Sequence, residues 1–292
     1  MALSPHARAI LLALFVTGLW STSWVLIKFG LADLPPLTFA GLRYSLATLC
    51  LLPFLLRGGR RAALRKLDRR RWAELALLGL LLYAATQGAQ FAGLALLPAT
   101  TVSLLLNLTT LVVTVFGIGL LRERPTTRQW AGIALNVAGV LVYFYPVAFT
   151  PGQSLGLVIT AGGVLANAAA AVLGRRVNRD RALDPLLVTT VSMAIGSAVL
   201  LAAGLALQGL PPLTPRHWLI IAWLAVVNSA VAFTLWNRSL QTLSALESNL
   251  INSTMLIQIA LLAWVFLGEA LTAKAVFGLL LAGAGVALVQ WR

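Results

Sequence analysis

Residues 72–79 read Trp-Ala-Glu-Leu-Ala-Leu-Leu-Gly, and they open a stretch, Trp72 to Phe144, that recurs half the chain length further on. Its second copy runs from Trp218 to Gln290, and the overlay needs no gap. Trp72 falls on Trp218, Ala99 on Ala245, Leu121 on Leu267 and Glu123 on Glu269. Beyond those, Thr126 meets Thr272, Gly132 meets Gly278, Leu135 meets Leu281 and Gly139 meets Gly285. Chance explains matches at Leu and Ala in such a chain, but not coincident Trp, Glu and Gly. A duplicated unit sets the fold.

Composition says in which solvent that unit folds. The 292 residues are 60% hydrophobic and 10% charged, too few charges to coat a soluble globule. Apolar runs of about 20 residues follow one another with no period-two alternation, so the class is an all-α polytopic membrane protein rather than a barrel. A net charge of +14 would point a soluble chain towards nucleic acid. Here Lys and Arg sit in short loops, where they orient the chain in the bilayer, and no nucleic-acid partner is expected. The single Cys50 lies in an apolar run, which excludes a disulfide framework or a cysteine metal cluster. Arg8 precedes the first apolar run as in a signal peptide. No small-residue cleavage site ends that run, so it is read as a retained first helix.

Ten spans can be drawn, at roughly 8–29, 36–56, 72–94, 98–121, 126–146, 154–174, 185–207, 215–237, 244–267 and 272–291. Pro35-Pro36, Pro98, Pro125, Pro151, Pro185 and Pro211-Pro212 mark the joints. Ser244-Ala-Leu-Glu247 reads as a capping box opening span nine. With the N-terminus inside, the inner loops and ends hold 18 of the 22 basic residues. Only Lys28, Arg216 and Lys274 fall outside, and Arg43 lies within a span, so both termini are expected in the cytoplasm. Five spans per copy is an odd number, so the copies cross in opposite directions. The expected architecture is two inverted five-helix repeats, residues 1–149 and 150–292, around a central cavity.

Carboxylates and histidines all fall in loops or at span ends, including Asp33, Glu74, Asp184, Glu247, Glu269, His6 and His217. Neither a proton relay nor an acid–base or metal catalytic set can be drawn at mid-depth, so no catalytic residue, metal or cofactor is expected. Mid-depth polar groups are neutral: Trp20 and Ser23 in span one, Tyr83 and Gln87 in span three, Asn107 and Thr110 in span four. Asn167, Asn228 and Asn252 hold that depth in spans six, eight and nine. An unpartnered amide in hydrocarbon costs several kcal/mol (~2–7), so these groups turn towards a wet cavity or towards other helices. Both uses stay open, cavity lining and interhelical glue.

Thr100, Ser103, Asn107, Thr110 and Thr114 recur at steps of three and four, a polar stripe along span four. Trp72, Trp130, Trp218, Trp236, Trp264 and Trp291 lie near span ends, as in an interfacial belt, whereas Trp20 is deep enough to stack on a substrate. Gly132, Asn136 and Gly139, matched by Gly278, Ala282 and Gly285, make small-residue faces for packing within each half or at a dimer contact. Arg43 begins about two turns from the outer end (~11 Å), close enough to snorkel outwards, and is read as structural rather than substrate-binding.

Leu19-Trp20-Ser21-Thr22-Ser23-Trp24, then Lys28, then Leu34-Pro35-Pro36-Leu37-Thr38-Phe39 with Arg43-Tyr44, resembles the opening of EamA-type proteins of the drug/metabolite transporter superfamily. Phe266-Leu267-Gly268-Glu269-Ala270-Leu271-Thr272 resembles that family's repeat ending, and Leu121-Arg122-Glu123-Arg124-Pro125-Thr126 is its first copy. The resemblance covers essentially the whole chain. It departs where the family often has a proline midway along spans four and nine; Thr110 and Leu256 stand there, so no proline kink is expected.

The resemblance implies ten helices around a cavity lined by spans one, three, four, six, eight and nine. It also implies an exporter of amino acids or other metabolites in a bacterial inner membrane, with YddG-type aromatic amino acid exporters as the branch to compare. The expected partners are an amino acid-like small molecule and the lipid bilayer, with the chain a monomer or homodimer. Lacking a buried acid, it is read as a uniporter working by alternating access. Carriers of drugs, polyamines or nucleotide sugars remain the alternative, and a membrane-embedded lipid enzyme is the alternative of a different class.

Overall fold

The computed structural model describes residues 4–57, 59–113, 126–145, 150–179, 183–239, 242–243 and 251–290, and every regular element among them is helical. In chain order these are α1 (Pro5–Gly30), α2 (Pro36–Leu55), the short α3 (Gly59–Arg65), α4 (Arg69–Leu96), α5 (Ala99–Val113) and α6 (Thr127–Phe144). There follow α7 (Pro151–Arg179), α8 (Pro185–Gln208), α9 (residues 215–239), α10 (Ile251–Leu267) and α11 (Ala273–Gln290). Five of them, α1, α2, α4, α7 and the helix Pro185–Gln208, are long and apolar enough to cross a membrane; α5, α10 and α11 are shorter apolar helices.

Local chemistry explains where helices start. Proline at the first positions of α1, α2, α8 and α9 removes an amide that would have no helical partner. Asp68, Asp184 and Thr214 accept hydrogen bonds from first-turn amides of α4, α8 and α9, and Thr126 with Gln129 closes a capping box on α6. Gly268 ends α10 at φ +67°, a left-handed conformation that costs glycine nothing. The expected box at Ser244–Glu247 lies outside the described residues.

The half-chain offset seen in the sequence recurs in backbone detail. The π-helical segment Leu80–Gln87 inside α4 has its counterpart in Val226–Val231 inside α9, and the two start at overlaid positions. Thr86 and Ser229 each donate their hydroxyl to a carbonyl five residues back, Leu81 and Leu224, which suits the wider turn. α5 is interrupted at Leu108 and α10 at Thr254, again overlaid residues. There the ladder tightens to three-residue steps, Leu111 to Leu108 and Ile257 to Thr254. Neither break has a proline at it.

Small residues set the closest helix pair. α6 and α11 are packed against each other more extensively than any other two helices described. A Cβ on Gly132 would sit 2.7 Å from the Gly285 carbonyl oxygen, and one on Gly285 would sit 2.6 Å from the Gly132 oxygen. Gly139 and Gly278 stand in the same reciprocal relation. Asn136 Nδ2 donates to the Ala282 carbonyl at 2.8 Å between them. This corrects the expectation of packing within each half: the two glycine faces meet each other across the halves.

The main core is built from α1, α2, α4, α5, α8, α9 and α10, with Phe39, Phe91, Ile27, Met193, Ile221 and Leu224 fully enclosed. α2 against α8 is the next most extensive pair, again through glycine: Gly41 abuts Leu201, and Gly204 abuts Thr38. Trp72, Trp130, Trp218 and Trp264 face outwards, as an interfacial belt requires. Trp236 does not, and Trp291 lies outside the described residues.

Candidate functional site

The two π segments converge on Arg43 and Tyr44 of α2. Tyr44 donates its hydroxyl to Gln87 Oε1 at 2.6 Å, and its ring meets Tyr83 edge-on with centroids 5.5 Å apart. Both partners belong to the α4 π segment. Arg43 Nε donates to Ser229 Oγ in the α9 π segment at 3.3 Å. Its guanidinium lies 4.9 Å from the Tyr44 ring centroid and 5.9 Å from that of Phe91. Only 4% of Arg43 is exposed, so it does not snorkel outwards as its position on α2 would allow; it turns into the bundle. A π turn re-aims the side chains that follow it, and this is how Gln87 and Ser229 come to bracket the Arg43–Tyr44 pair.

A second polar centre joins α1 to α9. Trp20 Nε1 donates to the Asn228 carbonyl at 3.0 Å. Asn228 Nδ2 in turn donates to the Leu19 carbonyl and, at 3.4 Å, to Thr22 Oγ1. Asn228 is wholly buried, and its Oδ1 has no partner among the described residues. The Trp20 ring packs against Phe233 at 5.1 Å and Trp236 at 5.2 Å, which draws Trp236 out of the interfacial belt. Trp20→Phe is expected to keep the ring contacts and cost about 1 kcal/mol of stability from the lost donor. Trp20→Ala is expected to cost about 3–5 kcal/mol, and thermal unfolding of the two purified variants separates the contributions.

A third centre ties α1 to α10 through a residue that the sequence pattern did not single out. Gln258 donates to Thr17 Oγ1 at 3.3 Å and to Thr254 Oγ1 at 3.0 Å, and it accepts from Ser21 Oγ at 2.9 Å. An amide inside the otherwise apolar run from Leu256 to Trp264 was the available signal.

The remaining expected residues divide by surroundings. Ser23 Oγ is bonded to the Trp20 carbonyl in its own helix, at 2.6 Å. Tyr83 is buried in the main core. Asn167 Nδ2 donates to Thr109 Oγ1 at 3.2 Å, joining α7 to α5 just past the Leu108 break. Asn107 and Thr110 are half-buried on either side of that break, and Asn252 is exposed near the start of α10. The span-four stripe is thus interrupted rather than continuous; Thr100 and Ser103 are buried, and Thr114 lies outside the described residues.

One end of the bundle is drawn tightly together around Pro98. Lys28 Nζ donates to the Leu94 and Leu97 carbonyls at 2.8 and 3.0 Å, where α4 ends. Glu269 accepts from the Ala99 and Thr100 amides at 2.5 and 3.0 Å, and from Thr100 Oγ1 at 2.8 Å, where α5 begins. A cation on exposed carbonyls and an anion on exposed amides are what the two helix ends favour. Among the described residues, no group of three or more His, Cys, Asp or Glu could hold a metal ion.

Comparison with known proteins gives this arrangement its relatives. The family model "EamA-like transporter family" matches twice, over residues 7–145 and 154–291. "Uncharacterized transporter YvbV" of Bacillus subtilis (strain 168) is 27% identical, the match covering 99% of this chain and 93% of the relative. "Probable amino-acid metabolite efflux pump" of Salmonella typhimurium is 26% identical over 94% of this chain and 92% of its own. A solved structure titled "Crystal structure of protein" superposes with a TM-score of 0.67 at 21% identity, covering 96% of both chains, a likeness of fold. The glycine-packed helices, the paired π segments and the two matches to one family model therefore describe the same duplicated unit: the chain belongs to the EamA-like transporter family, a family of membrane transporters and not of enzymes.

Proposed function

We propose that the protein exports amino acid-like metabolites, aromatic and other bulky neutral amino acids foremost, by alternating access without a coupling ion. The transport pathway lies between two inverted five-helix units, residues 1–149 and 150–292, and both termini are cytoplasmic. The observation that carries this reading is the reciprocity of the contacts. Under exchange of the two units, α6 on α11 and α2 on α8 map onto themselves, α4 on α7 maps onto α9 on α1, and α10 on α1 maps onto α5 on α7. Such reciprocity is what two-fold related units produce; five spans per unit, an odd number, support an inverted relation, with the site where the units meet.

The π segments support the same point, because Gln87 of one and Ser229 of the other bond the adjacent Tyr44 and Arg43 of α2. The name of the Salmonella relative supports an amino-acid metabolite as cargo. Aromatic side chains beside Arg43 favour a bulky apolar substrate, as in the YddG-type branch. A relative of Escherichia coli named "Uncharacterized inner membrane transporter YedA" supports an inner-membrane location.

Counterflow tests the substrate. Purified protein in liposomes preloaded with each amino acid in turn is expected to accumulate labelled L-phenylalanine most strongly from aromatic and large neutral preloads. Equal, protein-independent accumulation for every preload would remove amino acids as the cargo. Asn107→Ala is expected to lower the exchange rate about tenfold, an interaction of ~1.4 kcal/mol, while leaving the melting temperature unchanged.

A further inference from the structure

We propose that Arg43 is the anchor for a carboxylate on the transported molecule. The inference deepens the exporter reading of the same site and rests on it. A buried guanidinium needs a counter-charge or a full set of acceptors, because desolvation penalises the bare cation heavily. Among the described residues Arg43 has one hydrogen bond, from Nε to Ser229 Oγ, and two aromatic faces. No described acceptor takes its two terminal nitrogens.

Nor is a carboxylate at hand among the described residues. Glu269 is held by Ala99 and Thr100, and Asp33 pairs with His217. Asp184 pairs with Arg60, Glu74 with Arg70 and Arg71, and Asp68 accepts from the Arg71 amide. These are all five acids among the described residues, and every one lies at a helix end or in a loop. Glu123, Asp180 and Glu247 lie outside the described residues, in the stretches that the sequence places at the opposite end from Pro98.

Geometry narrows the ligand. With Nε engaged by Ser229, the planar fork still presents two parallel donors, which match a carboxylate in a way that one ammonium cannot. Tyr44 and Phe91 flank the guanidinium, and Tyr83 flanks Tyr44, so the anion arrives beside aromatic surface. A molecule with a carboxylate next to a flat apolar body meets both demands. A charge within the membrane that pairs with no acid among the described residues is most simply explained by cargo.

Two probes differing in one group test this, phenylacetate and phenylacetamide, titrated by tryptophan fluorescence into full-length protein in nanodiscs. Wild type is expected to bind the carboxylate at least about tenfold more tightly than the amide, as charge-assisted pairing implies. Arg43→Gln is expected to abolish the preference by weakening phenylacetate and leaving phenylacetamide unchanged. Arg43→Lys keeps a buried charge without the paired donors, so it is the second variant should the glutamine fail to fold; its preference is expected to fall to about threefold or less. Equal affinities in wild type, no phenylacetate binding at all, or a preference undiminished in whichever variant folds each overturns the anchor. Labelled L-phenylalanine flux is read separately. Absent flux with the carboxylate preference intact removes the amino-acid cargo alone, and flux with no such preference removes the anchor alone.

Discussion

Replacing Gly139 with leucine is expected to abolish the folded protein. A Cβ at Gly139 would lie 2.6 Å from the Gly278 carbonyl oxygen and 3.0 Å from Ala282 Cα, and it would meet the Ala282 amide nitrogen more closely still. These obstacles are backbone atoms, which cannot swing aside as a side-chain tip can. Overpacking a core against side chains costs about 1–3 kcal/mol. Here α6 and α11 must separate instead, giving up the Asn136–Ala282 hydrogen bond and the most extensive helix contact among the described residues. In lipid nothing hydrophobic drives those helices back together, since acyl chains replace the lost contacts. Gly283, one residue beyond Ala282, supplies the control, because a Cβ added there would meet nothing within 4 Å. Gly283→Ala is expected to run as a monodisperse peak on size exclusion and to melt with wild type, whereas Gly139→Leu is expected to elute as aggregate. Wild-type behaviour of Gly139→Leu would refute the packing of α6 on α11.

The second large effect is expected at Glu269. Its two carboxylate oxygens receive both first-turn amides of α5 and the Thr100 hydroxyl, while Lys28 secures the carbonyls at the end of α4 a few residues earlier. One short turn at Pro98 is therefore held by α1 from one side and by the end of α10 from the other. In the proposed orientation this is the outer end, and in the proposed alternating-access cycle these bonds would hold it shut. Hydrogen bonds to a charged group contribute about 1.5–3 kcal/mol each, so losing the three should favour opening by at least ~4.5 kcal/mol, on the order of 1000-fold in the open-to-closed ratio. Thr101→Cys on a Cys50→Ser background, buried in the closed end, reports this through an impermeant maleimide. Labelling is expected to quicken in Glu269→Ala and to be intermediate in Glu269→Gln, which retains an acceptor. Transport is expected to slow in both, because each cycle needs the end to close again. Unchanged labelling in Glu269→Ala would show that other contacts hold the end closed.

Much of the scaffold could be read from the chain because its rules are local. Proline at helix starts and the half-chain offset need only neighbouring residues or self-comparison, and the starts of α2 at Pro36 and α8 at Pro185 follow from them. The partner of the glycine faces was not legible. Gly132 and Gly139 say that another backbone comes close, but nothing local says which one, and the answer lay in the other half of the chain. The direction that Arg43 takes was hidden for a related reason. Its distance from the span end allowed snorkelling, while the pull inwards came from Ser229 and Phe91, far away in sequence.

The π segments carry no recognised signature, since a widened turn is decided by long-range packing such as Gly79 against Gly196. The breaks at Leu108 and Thr254 likewise arise with no proline to announce them. Trp20 and Asn228 were legible as deep polar residues, yet their mutual bond was not, and Gln258 was passed over beside more conspicuous amides. What the sequence pattern conveyed about the site was depth; what it withheld was pairing.

Flux through purified protein tests the central claim most directly. Liposomes loaded with labelled L-phenylalanine, with equal pH on both sides and a protonophore present, are expected to release it at the same rate as liposomes holding a proton gradient, and far faster than protein-free liposomes. Release no faster than from protein-free liposomes, or release that needs the gradient, would contradict an uncoupled amino acid exporter.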